Sequence, residues 1–280
     1  MSGRSEEMRT LEVPVDSVEA VEIAAPYADR IELCEDLATE GWTPAAPLVR
    51  AARAISDAQP EARRPRIIAM IRPRLTESSL ALDAAAFIAT DRVVEASMGE
   101  IATCVDAGAH EVAIGLLDAR GHIDLAACAA LRDAALARGA TVAFLRVFDL
   151  LHDRVRGWRD IAALGTGRVL TAGVLGWDAG VATVAARAQV IAGDIAVSQQ
   201  SCAAADLQRA RASVHCRIQG PDHCMADAQV AIVAGGGVRA SNAADFLRVT
   251  PHLHASCRVG GRISAAELAA LRARIDGSGR

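Results

Sequence analysis

No lysine occurs anywhere in the chain; all thirty positive side chains are arginine. A guanidinium keeps its proton, so an imine-forming aldolase, or any chemistry that needs a lysine amine as nucleophile, is excluded. Aromatic residues are nearly as scarce, at 3%, which leaves the interior to Ala, Val, Leu and Ile. A dominant charge of one sign is also missing. The formal net charge of −4 and pI near 6.0 give no footprint for nucleic acid or for an anionic membrane surface. No run approaches the roughly 18 consecutive apolar residues that span a bilayer, and the charged N-terminus has no apolar signal segment. Residues 1–10 read as a leader and 277–280 as a tail of a cytoplasmic protein. Its seven cysteines, an odd number, suit reduced thiols.

What is present is a regular alternation. Hydrophobic residues make up 52% of the 280, and they fall into eight short apolar runs separated by longer Ala/Leu-rich amphipathic stretches. The runs predict strands at 11–16, 30–34, 66–72, 111–117, 141–148, 168–172, 229–234 and 253–257. The stretches predict helices at 43–56, 78–107, 124–138, 180–192, 241–249 and 264–276, with shorter ones near 17–25 and 157–164. Thr43-Pro44, Ser241 and Ser264 are N-terminal helix signals. Eight strand–helix units in about 250 residues predict an α/β protein with one closed (β/α)8 TIM barrel over 11–276.

Within the second run, Arg30, Glu32 and Cys34 alternate with Ile31 and Leu33. Period two sends the polar set to one face of the strand and the aliphatic pair to the other, under the helices. A structural ion pair on a sheet edge would look the same. In a barrel the strand ends converge on one mouth, where Glu32 and Cys34 would meet Arg72 and Arg74, Arg146 and Asp149, Thr171, and His254 and Ser256. Arginines in that position favour a carboxylate or phosphate bound in bidentate fashion. Gly235, Gly236 and Gly237, with Asn242 beyond them, could bring backbone N–H groups close to such an anion, although a tight turn needs glycine too. A ligand-free polar network is the alternative for the whole set.

The ordered blocks ADRIELC at 28–34, EGWTP at 40–44, AMIRPR at 69–74, GLLDARGHID at 115–124, RVFD at 146–149, RVLTAG at 168–173, AGGGV at 234–238 and LHAS at 253–256 resemble the CutC family over nearly the whole chain. The resemblance implies a cytoplasmic β/α barrel, homodimeric, associated with copper homeostasis and copper binding, and without a settled reaction. Its pattern matches at Arg30, Glu32, Cys34, Arg72, Arg74, Arg146, Asp149, Thr171, Gly235, Gly236, Asn242, His254 and Ser256. It departs at Pro14, where the family usually has cysteine, at Leu145, where it has histidine, at Ala45, where it has serine, and along Leu75-Thr76-Glu77-Ser78. The thiol and the imidazole among these are the ligand types copper prefers. Only Cys34 and His254, with Met70 further off, remain as donors at the mouth.

Residues 193–227 stand outside the family pattern as an insertion, read as a surface excursion. They hold His215-Cys216 and His223-Cys224, donors suited to zinc or copper, but adjacent ligands followed by a six-residue gap are not the spacing of common zinc knuckles. Cys104 and Cys128, in alanine-rich helices, read as small core residues. Three functions follow as expectations. The chain is a copper-handling protein; or a lyase or isomerase acting on a small anionic metabolite through Arg30, Arg72, Arg146 and the glycine turn, with Glu32 as acid or base; or a catalytically silent barrel.

Overall fold

The eight apolar runs form the eight strands expected of them. A computed structural model of the chain describes residues 8–75, 82–215 and 230–277. In it β1 (Thr10–Val15), β2 (Arg30–Leu33), β3 (Arg66–Met70), β4 (Glu111–Ile114), β5 (Thr141–Phe144), β6 (Arg168–Thr171), β7 (Ala231–Ala234) and β8 (His252–His254) are parallel in sequence order. β8 closes the barrel against β1. β1 starts at Thr10, the last residue of the stretch expected to be a leader, and the Thr10 hydroxyl lies 2.9 Å from His252 Nδ1; residues 1–7 lie outside the described residues. No helix of the described residues is long and apolar enough to cross a membrane.

The alternation is resolved by packing. Leu11, Val13 and Val15, Ile31 and Leu33, and Val112 and Ile114 are fully buried, and as the set opposite the polar positions they lie under the helices. The opposite parity points into the barrel and carries Thr10, Glu12 and Pro14, then Arg30 and Glu32, Glu111, Arg168, His252 and His254. Burying an aliphatic side chain contributes roughly 1.5–3 kcal/mol, so a slip of one residue in any strand would expose that set and bury charge outside.

The surrounding helices are α1 (Val18–Ala24), α2 (Ala46–Asp57), α3 (Asp91–Asp106), α4 (Leu125–Leu136), α5 (Arg154–Leu164), α6 (Val184–His215), α7 (Ala243–Leu247) and α8 (Ala265–Gly277). Two expectations are corrected. Of the helix expected from residue 78, residues 78–81 lie outside the described residues, and in the described part it begins at Asp91, because Thr90 caps it by accepting the Val93 N–H and a short 3-10 turn, Ala84–Phe87, precedes it. The helix expected to stop at 192 runs on to His215, so the first part of the insertion is a continuation of α6 instead of a separate excursion after it. Between Gly193 and His215 there is no further glycine and no proline, and the sequence is alanine-rich; nothing there stops a helix. Cys216, His223 and Cys224, and the side chain of His215, lie outside the described residues. The five described cysteines are free thiols, with Cys104 and Cys128 fully buried.

Candidate active site at the barrel mouth

The barrel interior holds two tiers of charge. The lower tier is built from Glu111 and Arg168, which open β4 and β6, and from Glu12, the third residue of β1. Arg168 is clamped between Glu12 and Glu111, its Nε donating to Glu111 Oε1 at 3.0 Å and its Nη1 to Glu12 Oε2. All three are buried. Burial alone would raise the Glu12 carboxyl, but Arg168 and a hydrogen bond with His254 outweigh it and hold Glu12 below the usual carboxylate range. Arg30 also belongs to this tier. It opens β2, beside Glu12 in register, so its guanidinium points into the barrel two residues below the position expected of a mouth ligand. Its Nε is buried without a hydrogen-bond partner among the described residues.

His254 joins the tiers. Its Nδ1 lies 2.8 Å from Glu12 Oε1; because Glu12 is ionised it must accept, so Nδ1 carries the proton and Nε2 faces up the barrel. Burial lowers the His254 pKa, but the hydrogen bond to Glu12 and the charges of Glu32 and Glu12 raise it on balance. Glu32 Oε2 is 4.0 Å from His254 Nε2, and no hydrogen-bond donor reaches the Glu32 carboxylate among the described residues. Burial, countered in part by His254 and reinforced by Glu12, pushes Glu32 up to about 7. A histidine held by one carboxylate and facing a second, near-neutral one is an acid–base pair with a proton to share at neutral pH.

The pair forms the floor of a cavity of about 70 Å³, room for a few waters or the body of a small ligand. Pro14, Met70, Leu145 and Leu170 form an apolar waist, and Arg72, Arg146, Phe87 and Trp177 stand around the top. A second void of about 10 Å³ lies beneath, between Glu32, Glu12 and Arg168, beside the small side chains of Ala113 and Ala143.

The upper arginines are held by the loops they organise. Arg72 lies flat on Trp42, 4.1 Å from the ring centroid, and donates to the carbonyls of Thr39 and Gly41, so it folds the loop after β2 onto the mouth. Thr43, expected to start a helix, exchanges backbone hydrogen bonds here instead. Its hydroxyl accepts from the Arg72 N–H and donates to Glu100 of α3. Arg74 stands against the same Trp42 ring, 5.0 Å from its centroid, paired with Asp36 at 2.8 Å and half exposed. Arg146 donates to Asp149 at 3.1 Å and to the Trp177 carbonyl at 2.7 Å, with its guanidinium 4.7 Å from the Trp177 ring centroid.

Other expected anion ligands turn out to stabilise the frame. Thr171 donates to Asp149 and accepts from Arg154, which pairs in turn with Asp194 of α6. Gly236 has φ +72° and an added Cβ would come within 2.7 Å of Ala172 Cβ, so the turn requires glycine there. Arg187 closes that turn from α6 by donating to the carbonyls of Ala172 and Gly235. Asn242 ties Gly237 to Arg239, and Ser256 accepts from Arg239 at 3.4 Å. Gly235, Gly236, Gly237, Asn242 and Ser256 do not line the mouth cavity. Cys34 lies just past β2, fully buried, with its thiol donating to the Val15 carbonyl at 3.6 Å; burial raises it well above the ordinary thiol range.

Among the described residues the one group whose donor atoms converge within 4.8 Å is Glu12, Glu32 and His254, and Cys34 is not in it. Glu12, Glu111 and Arg168 were absent from the expected site. The signal for them was in the sequence, since each is a charged residue at inward parity inside an apolar run.

The sequence pattern of the CutC family matches residues 9–193. A protein of Glaesserella parasuis described as a family protein CutC is 33% identical over 164 residues, which are 58% of this chain and 60% of that protein. The human copper homeostasis protein cutC homolog is 34% identical over 164 residues, 58% of this chain and 54% of its own length. The matched stretch thus spans little more than half the length of these curated relatives. The crystal structure of the putative copper homeostasis protein CutC from Streptococcus agalactiae superposes with a TM-score of 0.65 at 19% identity, over 89% of this chain and 99% of that one.

Proposed function

The chain belongs to the CutC family, and on that premise we propose that it is a barrel enzyme of the lyase or isomerase class, moving a proton on a small anionic metabolite held at the mouth. The observation that carries this reading is Glu32: a buried carboxyl pushed up to about 7, with no donor among the described residues, 4.0 Å from His254 Nε2 on a cavity floor. In the step proposed, the Glu32 carboxylate takes a proton from a carbon beside a carbonyl. The C–H electrons become the new C=C bond, the carbonyl π electrons move to oxygen, and that oxygen takes the Nε2 proton of His254, which enters the step as the imidazolium with its Nδ1–H held by Glu12 and leaves it as the neutral Nδ1–H imidazole. Glu12 keeps His254 upright throughout. No lysine is needed, in keeping with a chain that has none.

The test is solvent exchange. Small molecules released from the purified protein are identified by mass spectrometry and returned to it in deuterated water. Wild type should introduce deuterium at one carbon, and Glu32→Gln should be at least about a hundredfold slower. Equal exchange by the two proteins would retire Glu32 as the base.

A second reading is favoured by the copper homeostasis names of the relatives and by one contact. The position a Gly41 Cβ would occupy lies 3.1 Å from Met70 Sδ and 3.3 Å from Cys34 Sγ, so two soft sulfur donors flank the same backbone. Copper would then be the cargo. The donors fit it poorly as they stand, because the Cys34 thiol keeps its proton, His254 Nδ1 is engaged by Glu12, and the converging group is rich in carboxylate, a hard ligand. Copper handling predicts stoichiometric Cu(I) uptake that disappears in Cys34→Ser. Neither exchange nor uptake would leave a silent scaffold.

A further inference from the structure

The chain has three tryptophans, and their indole N–H groups have different fates. Trp42 Nε1 donates to Thr39 Oγ1 at 3.0 Å, and Trp158 Nε1 to Asp194 Oδ1 at 3.0 Å. Trp177 Nε1 is shielded from solvent and meets no acceptor among the described residues. A buried donor without an acceptor is destabilising, and native proteins rarely keep one without a reason. Trp177 stands in the loop after β6 and lines the cavity above Glu32 and His254. Its ring stacks on Phe87, from across the barrel, at 5.8 Å and 17°, and Arg146 holds its other contacts by the ring face and the carbonyl. The indole is therefore fixed in place with its one polar atom unused.

We infer that Trp177 is a ligand-binding residue, its indole N–H pairing with Arg146 to receive the carboxylate of a small oxo- or hydroxy-acid whose reacting carbon rests over Glu32 and His254. This rests on the acid–base reading for the reacting end and on the cavity alone for the binding end. Several features select a carboxylate over a phosphate ester. A carboxylate is a monoanion with two acceptors, matched to one indole N–H and the N–H groups that Arg146 has left after Asp149 and the Trp177 carbonyl. A phosphate dianion would enter a cavity that also presents Glu32 and Glu40, and the glycine turn that could cradle it does not open there. The apolar waist of Pro14, Met70, Leu145 and Leu170 in about 70 Å³ suits a short carbon chain between the charged head and the floor.

The experiment is an indole ¹⁵N–¹H spectrum of the full chain, titrated with pyruvate and acetoacetate as carboxylate probes and with inorganic phosphate and glycerol phosphate for comparison. The Trp177 signal, assigned by its loss in Trp177→Phe, should move downfield with a carboxylate while those of Trp42 and Trp158 stay. Trp177→Phe retains the ring and the stack, so it should melt like wild type yet bind the carboxylate roughly ten- to a hundredfold more weakly, the factor of a hydrogen bond to a charged acceptor. The inference is overturned if no carboxylate moves the Trp177 signal, if the phosphates move it as strongly, or if Trp177→Phe binds as tightly as wild type. A Trp177 shift with no deuterium exchange would retire the acid–base reading and leave the carboxylate site standing; exchange with no shift would do the reverse.

Discussion

His252 and His254 lie two residues apart on β8, both facing into the barrel, and their surroundings drive them in opposite directions. His252 looks down toward the lower tier, where burial and the charges of Arg30 and Arg168 push it to about 4. His254 looks up toward Glu32 with Glu12 at its back, and is raised. The same residue types, Glu, Arg and His, build both tiers. Below, Arg168 has a carboxylate on each side. Above, Glu32 has no hydrogen-bond donor among the described residues, and Trp177 has an N–H without an acceptor. Buried charge that is fully paired maintains a fold; buried charge left incomplete beside a cavity is available to a ligand.

The largest expected effect belongs to the lower tier. Arg168→Met leaves Glu12 and Glu111 facing each other in the core and should cost roughly 3–5 kcal/mol in urea unfolding, as breaking a buried pair does. A loss below about 1 kcal/mol would mean that the clamp is not structural. Next is Glu32→Gln, which should abolish proton exchange and yet leave the protein as stable as wild type or more so above neutral pH. A carboxyl whose folded pKa is raised stabilises fully below its unfolded value of 4.5 and loses that contribution as pH rises through about 7. The variant's advantage should therefore grow from pH 4.5 to 8, by on the order of 1–3 kcal/mol. If it shrinks instead, the tiers do not differ in the way described.

His252→Asn probes the opposite sign. A histidine pushed to about 4 penalises the folded state as pH falls from 6.5 toward 4, because the unfolded chain takes the proton first. Wild type should lose ground to the variant over that window, by about 1–2 kcal/mol, and match its pH dependence above it. The smallest effect is expected at Arg30, where Nε has no partner and Arg168 repels. Arg30→Met should change stability by less than about 1 kcal/mol, in either direction. A loss as large as that of Arg168→Met would place Arg30 among the structural pairs.

Both tiers wrote the same signal into the sequence, which is why period two was enough for the fold and only partly enough for the site. All eight strands follow from alternation, and Glu32 and His254 fall at inward parity near strand ends. Parity does not give height. Arg30 shares a face with Glu32 but opens its strand, about 6.6 Å lower at the usual rise per residue, and so lands in the lower tier. Thr171 and Asn242 sit at the right level, but their hydrogen bonds go to Asp149 and to the glycine turn, partners that no local pattern reveals. Trp177 comes from a loop and carries no periodicity. The continuation of α6 was legible in its alanine-rich composition and was hidden by the end of the family pattern near 193, close to where the match stops.

The most direct test of the difference between the tiers is the titration of Glu32 itself, followed through its carboxyl ¹³C resonance and assigned by its loss in Glu32→Gln. The carboxyl should titrate near 7. A midpoint near 4.5 would show an ordinary solvated glutamate at the mouth and would contradict the assignment of Glu32 and His254 as the proton-transfer pair.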